Sequence, residues 1–376
     1  GPVDPTAYFV SVAARHPRCF WLDGGGAREW SGRRSIIGWL DDDDVSLTYS
    51  AARREVTRHR GGRSEVVGDD IFAALQSGLA EGGGQWFGYL GYASRPDLPA
   101  RPDPDLPDAV WMRAVPGRVR SFEHDLPQGS RTFRGVATPR NVRNPRSTGD
   151  SGPSPRPTAP SDEYAAAFAR VQQALRAGDT YEANLTFRLT EETTRPVDPA
   201  ALYLRLRELN PAPYAGFLQH DVPGPADGPG ARAWLLSSSP ERYALIDADR
   251  MLETKPIKGT TPRGATVEED ERHRAELATH PKYRAENLMI VDLLRNDLAQ
   301  VCQVGSVDVP HLMEVQSYAT VHQLVSTVRG RLRDDVTTIE ALRALFPAGS
   351  MTGAPKLRTM QVVDEVESTP RGAYAG

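Results

Sequence analysis

Apolar positions along this chain change their spacing about midway. In the first third they come in short blocks bounded by turn residues. Cys19-Phe20-Trp21-Leu22 predicts a buried strand, stopped by Asp23 and the glycines Gly24, Gly25 and Gly26. Trp86 to Tyr92 predicts an aromatic strand whose glycines allow close packing. Further along, helical spacing takes over. Tyr164, Phe168, Val171 and Leu175 share one face of a helix that Ser161 can cap and Gly178 can end. A strand is expected over Tyr181–Leu189, and a helix over Ala200–Leu209, stopped by Asn210-Pro211. Trp234-Leu235-Leu236 reads as a strand, Glu253 to Gly264 as a tight loop, and Pro281–Gln300 as a long helix with Leu288, Val291 and Leu298 among its apolar positions. Pro355 opens a last helix reaching the neighbourhood of Val366, with Gly349 and Gly353 in the preceding turn.

Between the two regimes runs Arg140 to Glu163, crowded with Pro, Ser, Gly and Arg and almost free of apolar residues. Such a segment buries too little surface to offset the entropy of ordering it, and reads as a flexible linker. The expected organisation is a strand-rich part over 1–139, a linker over 140–161 and a core over 162–376.

Composition narrows the class. The 376 residues are 39% hydrophobic and 25% charged, enough for one large domain or two smaller ones. A formal net charge of -4 gives no electrostatic case for nucleic acid. No apolar run approaches the roughly 20 residues that span a bilayer, and GPVDPTAYF has neither a basic leader nor an apolar signal core. Two cysteines, Cys19 and Cys302, suggest no disulfide framework, so a cytoplasmic location is the expectation.

Several residues could carry chemistry. Lys258 lies in Pro256-Ile257-Lys258-Gly259-Thr260, with stiff neighbours on one side and an open backbone on the other. Alone, this is an ordinary lysine in a turn. Glu241 follows Ser239-Pro240, a usual turn position. Glu286 beside Arg284 reads as a solvated helix residue. Thr352 lies in a glycine-rich turn before a helix, where free N–H groups face outward, but no Ser or Thr follows Lys356 as a phosphate loop requires.

The order of longer strings changes these readings. GDTYEANLTFRL, NPAPYAGF, SSSPERY, ETKPIKGTTPRG, YRAENLMIVDLLRNDL, VHQLVSTVRG, FPAGSMTGAPKLRTM and RGAYAG follow one another, after an R-x-S-x-x-G element at Arg33–Gly38 and Gly88-Tyr89-Leu90-Gly91-Tyr92. Together they resemble the chorismate-utilising enzymes. The resemblance implies an α/β (α+β) sandwich of two packed, mostly antiparallel sheets with helices outside, shared by strands from both halves of the chain. In that family the middle of the Pro-Ile-x-Gly-Thr string separates branches. Those that aminate chorismate at C4 typically carry lysine, and anthranilate synthases carry alanine. Lys258 therefore points to C4 amination, giving 4-amino-4-deoxychorismate for 4-aminobenzoate and folate, or for a specialised metabolite.

The resemblance also assigns roles. Lys258 attacks C2 of the ring and must be neutral part of the time, with Lys255 and Arg263 as nearby cations that could favour this. Glu241 protonates the departing C4 hydroxyl. His322 lies near the ring and the C4 oxygen. Glu286 is one ligand of Mg2+, which takes oxygen donors and keeps several waters. Gly259, Thr260 and Thr352 hold substrate carboxylates, and Tyr374 contacts the substrate side chain. The Arg295-Asn296-Asp297 string ties its helix end to a neighbour. Glu182 stands where isochorismate and salicylate synthases carry a base lysine, which favours amination over hydration. Pro213 and Tyr214 fit the family's tryptophan pocket, yet Gly24 stands where a serine is common, and no tryptophan binding is expected. Ammonia is expected from a glutamine amidotransferase partner, because no cysteine-nucleophile elbow occurs here. Family members continue past the position of Gly376 into an arginine and a second magnesium glutamate. The expectation is a chain incomplete at its C-terminus and inactive by itself. The alternatives are an anthranilate synthase component and a non-catalytic chorismate-binding subunit.

Overall fold

The computed structural model describes residues 3–24, 34–124, 162–223, 231–318 and 321–374. The linker, Arg33, Ser161, Gly25 and Gly26 lie outside the described residues.

Strands from both halves of the chain meet in one five-stranded sheet. Its order is Ala231–Ser239, Tyr214–Val222, Arg18–Asp23, Arg34–Leu40, Val119–Glu123. Successive side chains of a strand face opposite ways, so the run from Cys19 to Trp21 divides between two layers. Cys19 and Trp21 turn outward to the helices Pro5–Arg15 and Pro199–Leu209, meeting Phe9, Val12 and Tyr203. Phe20 turns inward with Leu40, Leu218 and Ala233, against Tyr89, Val110, Met112 and Ala114 of a second sheet. Gly38 has to be glycine here, because a Cβ would sit 2.4 Å from the Phe20 ring.

The second sheet has the order Arg63–Gly68, Glu55–Arg60, Ser46–Ser50, Ala109–Ala114, Gln85–Leu90. Its outer face is covered by the helix Ile71–Glu81, together with Ile339 and Phe346 from the second half of the chain. A third sheet carries Leu245–Ile246, Met251–Thr254, Val321–Arg331 and Ile257–Pro262, and Asp308–Ser317 also pairs with Val321–Arg331. The helix Pro281–Ala299 packs on this sheet through Ile290, Val291, Leu294 and Leu298, spaced as one helical face. All of these strand pairings are antiparallel. The α+β class, the antiparallel sheets and the outer helices are those expected. Among the described residues the strands divide into three five-stranded sheets and a two-stranded ribbon.

Three local readings need correction. The Pro-Ile-Lys-Gly-Thr segment is a bulged strand, not a loop: Ile257 pairs with Val325 and Thr260 with Gln323, with a register shift between them. Gly259 takes φ +98° there, which suits glycine. Of Tyr181–Leu189 only Glu182–Ala183 is strand. The backbone beyond it is held by side chains instead, with Arg371 donating to the Asn184 carbonyl at 2.6 Å and Thr186 N–H donating to Glu367 at 3.1 Å. The helix Asp162–Ala177 buries Ala167 and Val171, while Phe168 stays exposed, so its packed stripe is offset from the one its large residues suggested.

Candidate functional site

The bulge at Gly259 aims Lys258 away from its own sheet and toward the short ribbon formed by Glu182–Ala183 and Gly353–Ala354. Lys258 Nζ lies 2.5 Å from Glu182 Oε1 and 3.4 Å from the Ser350 carbonyl. Both side chains of the pair are largely buried, at 16% and 11% exposure. Tyr283 and Leu277 press on Gly259 from behind, and a Cβ there would come within 2.8 Å of the Tyr283 ring.

Glu241 reaches the same place from the turn after the strand Ala231–Ser239. Ser350 Oγ donates to its Oε1 at 2.6 Å, and the Ile257 N–H donates to its Oε2 at 3.3 Å. Burial raises the pKa of this carboxyl above the usual range, against the opposing effects of Ser350, Ile257 and Lys258. A carboxyl held this way keeps its proton at higher pH than an exposed one, as a general acid requires. Ser350 therefore touches both functional groups, the carbonyl to Lys258 and the hydroxyl to Glu241. Nothing in the motif reading singled it out.

Glu182 is the larger surprise. Burial raises its pKa, Lys258 opposes the shift, and the charge of Glu286 adds to it. Its second oxygen, Oε2, is buried with no hydrogen-bond partner among the described residues. The cations once expected beside Lys258 are engaged elsewhere. Lys255 lies 3.5 Å from Glu253, and Arg263 donates twice to Asp270 and once to the Tyr318 carbonyl. The partner that the fold supplies to Lys258 is a carboxylate.

The remaining expected residues divide. Glu286 sits in the first half of the helix Pro281–Ala299, 28% exposed, with Lys282 3.8 Å away. Its neighbour Asn287 is fully buried and ties the helix to Ser326 and the Leu324 carbonyl of the central strand. Thr352 is buried and donates back into its own turn, to Ala348 and Gly349 carbonyls at 3.2 and 3.3 Å. Thr260 is exposed next to the bulge. Tyr374 is 42% exposed, and its hydroxyl accepts from Asn184 Nδ2 at 3.0 Å. It borders a cavity of about 170 Å³ with Thr186, Phe187, Arg188 and Arg371. Arg371, paired with Glu367 at 2.6 Å, donates to the Met351 carbonyl and so links this cavity to the Ser350 turn.

His322 is not brought into contact with Lys258 or Glu241. Its Nδ1 lies 2.7 Å from Ser317 Oγ and its Nε2 2.9 Å from Asp270 Oδ1, and the ring is buried. Arg263 beside it holds the Asp270 carboxyl far below the usual carboxylate range. The expected tie at the end of the long helix is present, in that Asp297 lies 2.7 Å from Lys356 Nζ. A further cavity has a volume of about 260 Å³. It lies between the first two sheets, lined by Phe20, Phe87, Tyr214 and Leu235 among others.

The family model described as chorismate binding enzyme matches residues 17–376. An aminodeoxychorismate synthase of Streptomyces pristinaespiralis is 39% identical over 99% of this chain and 55% of its own length. Aminodeoxychorismate synthase component 1 of Escherichia coli is 42% identical over 57% of this chain and 45% of its own. Anthranilate synthase component I from Streptococcus pneumoniae superposes with a TM-score of 0.64 at 22% identity, covering 100% of this chain and 84% of that one. The chain spans about half the length of the curated relatives it matches. It belongs to the family of chorismate-binding enzymes.

Proposed function

We propose that this chain carries the synthase chemistry of aminodeoxychorismate formation, replacing the C4 hydroxyl of chorismate by an amino group. The observation that carries this reading is the placement of a lysine in the Pro-Ile-x-Gly-Thr strand, facing a carboxyl acid, Glu241, through the shared Ser350. Lys258 adds to C2 of the ring, the double bonds shift, and the C4–O bond breaks. Glu241 gives its proton to the leaving oxygen, which departs as water. Ammonia then bonds to C4, the double bonds shift back, the C2–N bond breaks, and Glu241 recovers a proton from the new ammonium. The names of the relatives support this reaction, and the family's amidotransferase partner would supply the ammonia.

Glu286 fits a magnesium ion in kind. It is a hard oxygen donor, partly exposed, with its nearest cation at 3.8 Å. Among the described residues no group of three or more His, Cys, Asp or Glu side chains could hold a metal, so in this reading Glu286 would be one ligand beside substrate, water and the family's second glutamate. Bound there, magnesium would neutralise a substrate carboxylate. Tyr374 and the Gly259–Thr260 backbone are the further substrate contacts in this reading, and His322 acts by fixing Asp270 and the strand rather than by touching the ring. A cytoplasmic setting accords with Cys19 and Cys302, both free and buried, and among the described residues no helix is long and apolar enough to cross a membrane.

The test is product identity. The full-length protein, given chorismate, Mg2+ and ammonium, is expected to yield 4-amino-4-deoxychorismate by mass spectrometry. Direct formation of fluorescent anthranilate would overturn the assignment.

A further inference from the structure

We propose that Glu182 is the proton acceptor for Lys258: it holds the resting lysine as an ammonium and takes one proton from it when chorismate is attacked. The inference rests on the reading of Lys258 as nucleophile and deepens it.

The geometry carries the argument. Lys258 Nζ and Glu182 Oε1 are 2.5 Å apart, a charge-assisted contact between two largely buried side chains. The fold fixes the position of Glu182 from the backbone. Glu182 pairs with Ala354 in the two-stranded ribbon, and its carbonyl accepts from Thr180 Oγ1 at 3.0 Å. Gly353, at φ +140°, brings its backbone so close that a Cβ would lie 2.0 Å from that same carbonyl. The backbone carrying this side chain is thus held in place beside Lys258. The second carboxylate oxygen has no donor among the described residues, so the acid has room to carry a proton on either oxygen. Lys255 and Arg263 are bonded to Glu253 and Asp270, which leaves the carboxylate as the charged group in hydrogen-bond contact with the amine among the described residues.

The step balances. The pair begins as ammonium and carboxylate. One proton passes from Nζ to Glu182, and the freed lone pair forms the bond to C2 as the C4–O bond breaks. When ammonia has bonded to C4, the C2–N bond breaks and Lys258 leaves as a neutral amine. Glu182 returns the proton and the ion pair is restored. Glu241 handles the protons at C4 separately, so each acid serves one reacting carbon, Glu182 the bond at C2 and Glu241 the exchange at C4.

The experiment compares Glu182→Gln, Glu182→Asp and Lys258→Ala in the full-length protein. Folding is checked by thermal unfolding, and chorismate binding with Mg2+ by calorimetry. Glu182→Gln keeps the shape and can accept a hydrogen bond, but it cannot take the proton. Its kcat is expected to fall by about 100-fold or more while KM for chorismate moves only a few-fold. With ammonia withheld, it should also form the lysine adduct at least about 100-fold more slowly than the parent, as read by mass spectrometry. Glu182→Asp, which keeps an acid, should form adduct well above the Gln variant. Adduct formation by the Gln variant within about tenfold of the parent, or equal rates in the Asp and Gln variants, would overturn the inference. Undiminished turnover in Lys258→Ala would instead overturn the nucleophile reading itself, and so the two failures are distinguishable.

Discussion

Removing the charge of Lys356 tests how the site's two supporting helices are held. Lys356 begins the helix Lys356–Val366, and its Nζ lies 2.7 Å from Asp297 near the end of Pro281–Ala299. The two side chains are 12% and 6% exposed. Burial lowers the lysine pKa and raises that of Asp297, in each case against the pull of the partner. Desolvation thus outweighs attraction for both, and the pair is poorly replaceable by half of itself. Lys356→Met keeps the apolar stem and strands the carboxylate, which must stay buried unpaired or take up a proton. It also removes the donor to the Leu345 carbonyl at 3.1 Å. The expected loss is about 3–5 kcal/mol. In urea, with a slope near 3 kcal/mol per molar, the midpoint should fall by about 1–1.7 M at unchanged slope. The double variant Asp297→Leu with Lys356→Met removes both charges and should regain most of the loss. A single-variant shift under about 0.3 M, or a double variant as unstable as the single, would refute the claim that this buried pair is the tie.

Two further outcomes follow from the same kind of accounting. Glu241→Gln should lower kcat by about 100-fold or more with chorismate affinity nearly unchanged, measured by product formation and calorimetry; a proportional loss of affinity would reassign Glu241 to binding. The sheets should be acid-labile through His59 and His220, which burial pushes down from 6.5 to about 4 and about 3. A lowered histidine favours the fold in its neutral form, so that stability is intact above about 6.5 and drains as pH falls toward 4. His59 alone contributes roughly 3 kcal/mol of that loss. Denaturant titrations between pH 7.5 and 4 should show this slope, and His59→Gln should flatten it; an unchanged slope in that variant would assign the acid lability to other groups.

What the sequence made legible was the set of candidate reacting groups, and what it hid was their partners. Lys258 and Glu241 stand in strings whose residue order is itself a signal. The Asp297 tie could be read because its string closes a long, strongly patterned helix. Glu182 was visible only as the absence of a lysine. Its pairing depends on the bulge at Gly259, and no periodicity encodes where a bulge sends a side chain. Ser350 lay in a glycine-rich turn that pointed to anion binding, yet the neighbouring Thr352 spends its hydroxyl on its own turn. The stretch after Ala183 failed as a strand for a similar reason. Its alternating pattern suits a sheet, but Arg371 and Glu367, distant in sequence, satisfy its backbone first. The apolar faces of Cys19–Leu22 and of the long helix were readable, because burial there follows period alone.

A buried nucleophilic lysine faces two opposed demands. To stay soluble within the fold it is best charged and paired, and to attack carbon it must be neutral. A neighbouring cation meets the second demand by making the charged form costly at all times. A neighbouring carboxylate meets both in turn. The ionic pair and the neutral pair of amine and acid carry the same net charge, so moving one proton across 2.5 Å requires no charge to enter or leave the low-dielectric site. The cost of the transfer is the difference between two proton affinities, and burial raises that of Glu182 toward the amine's.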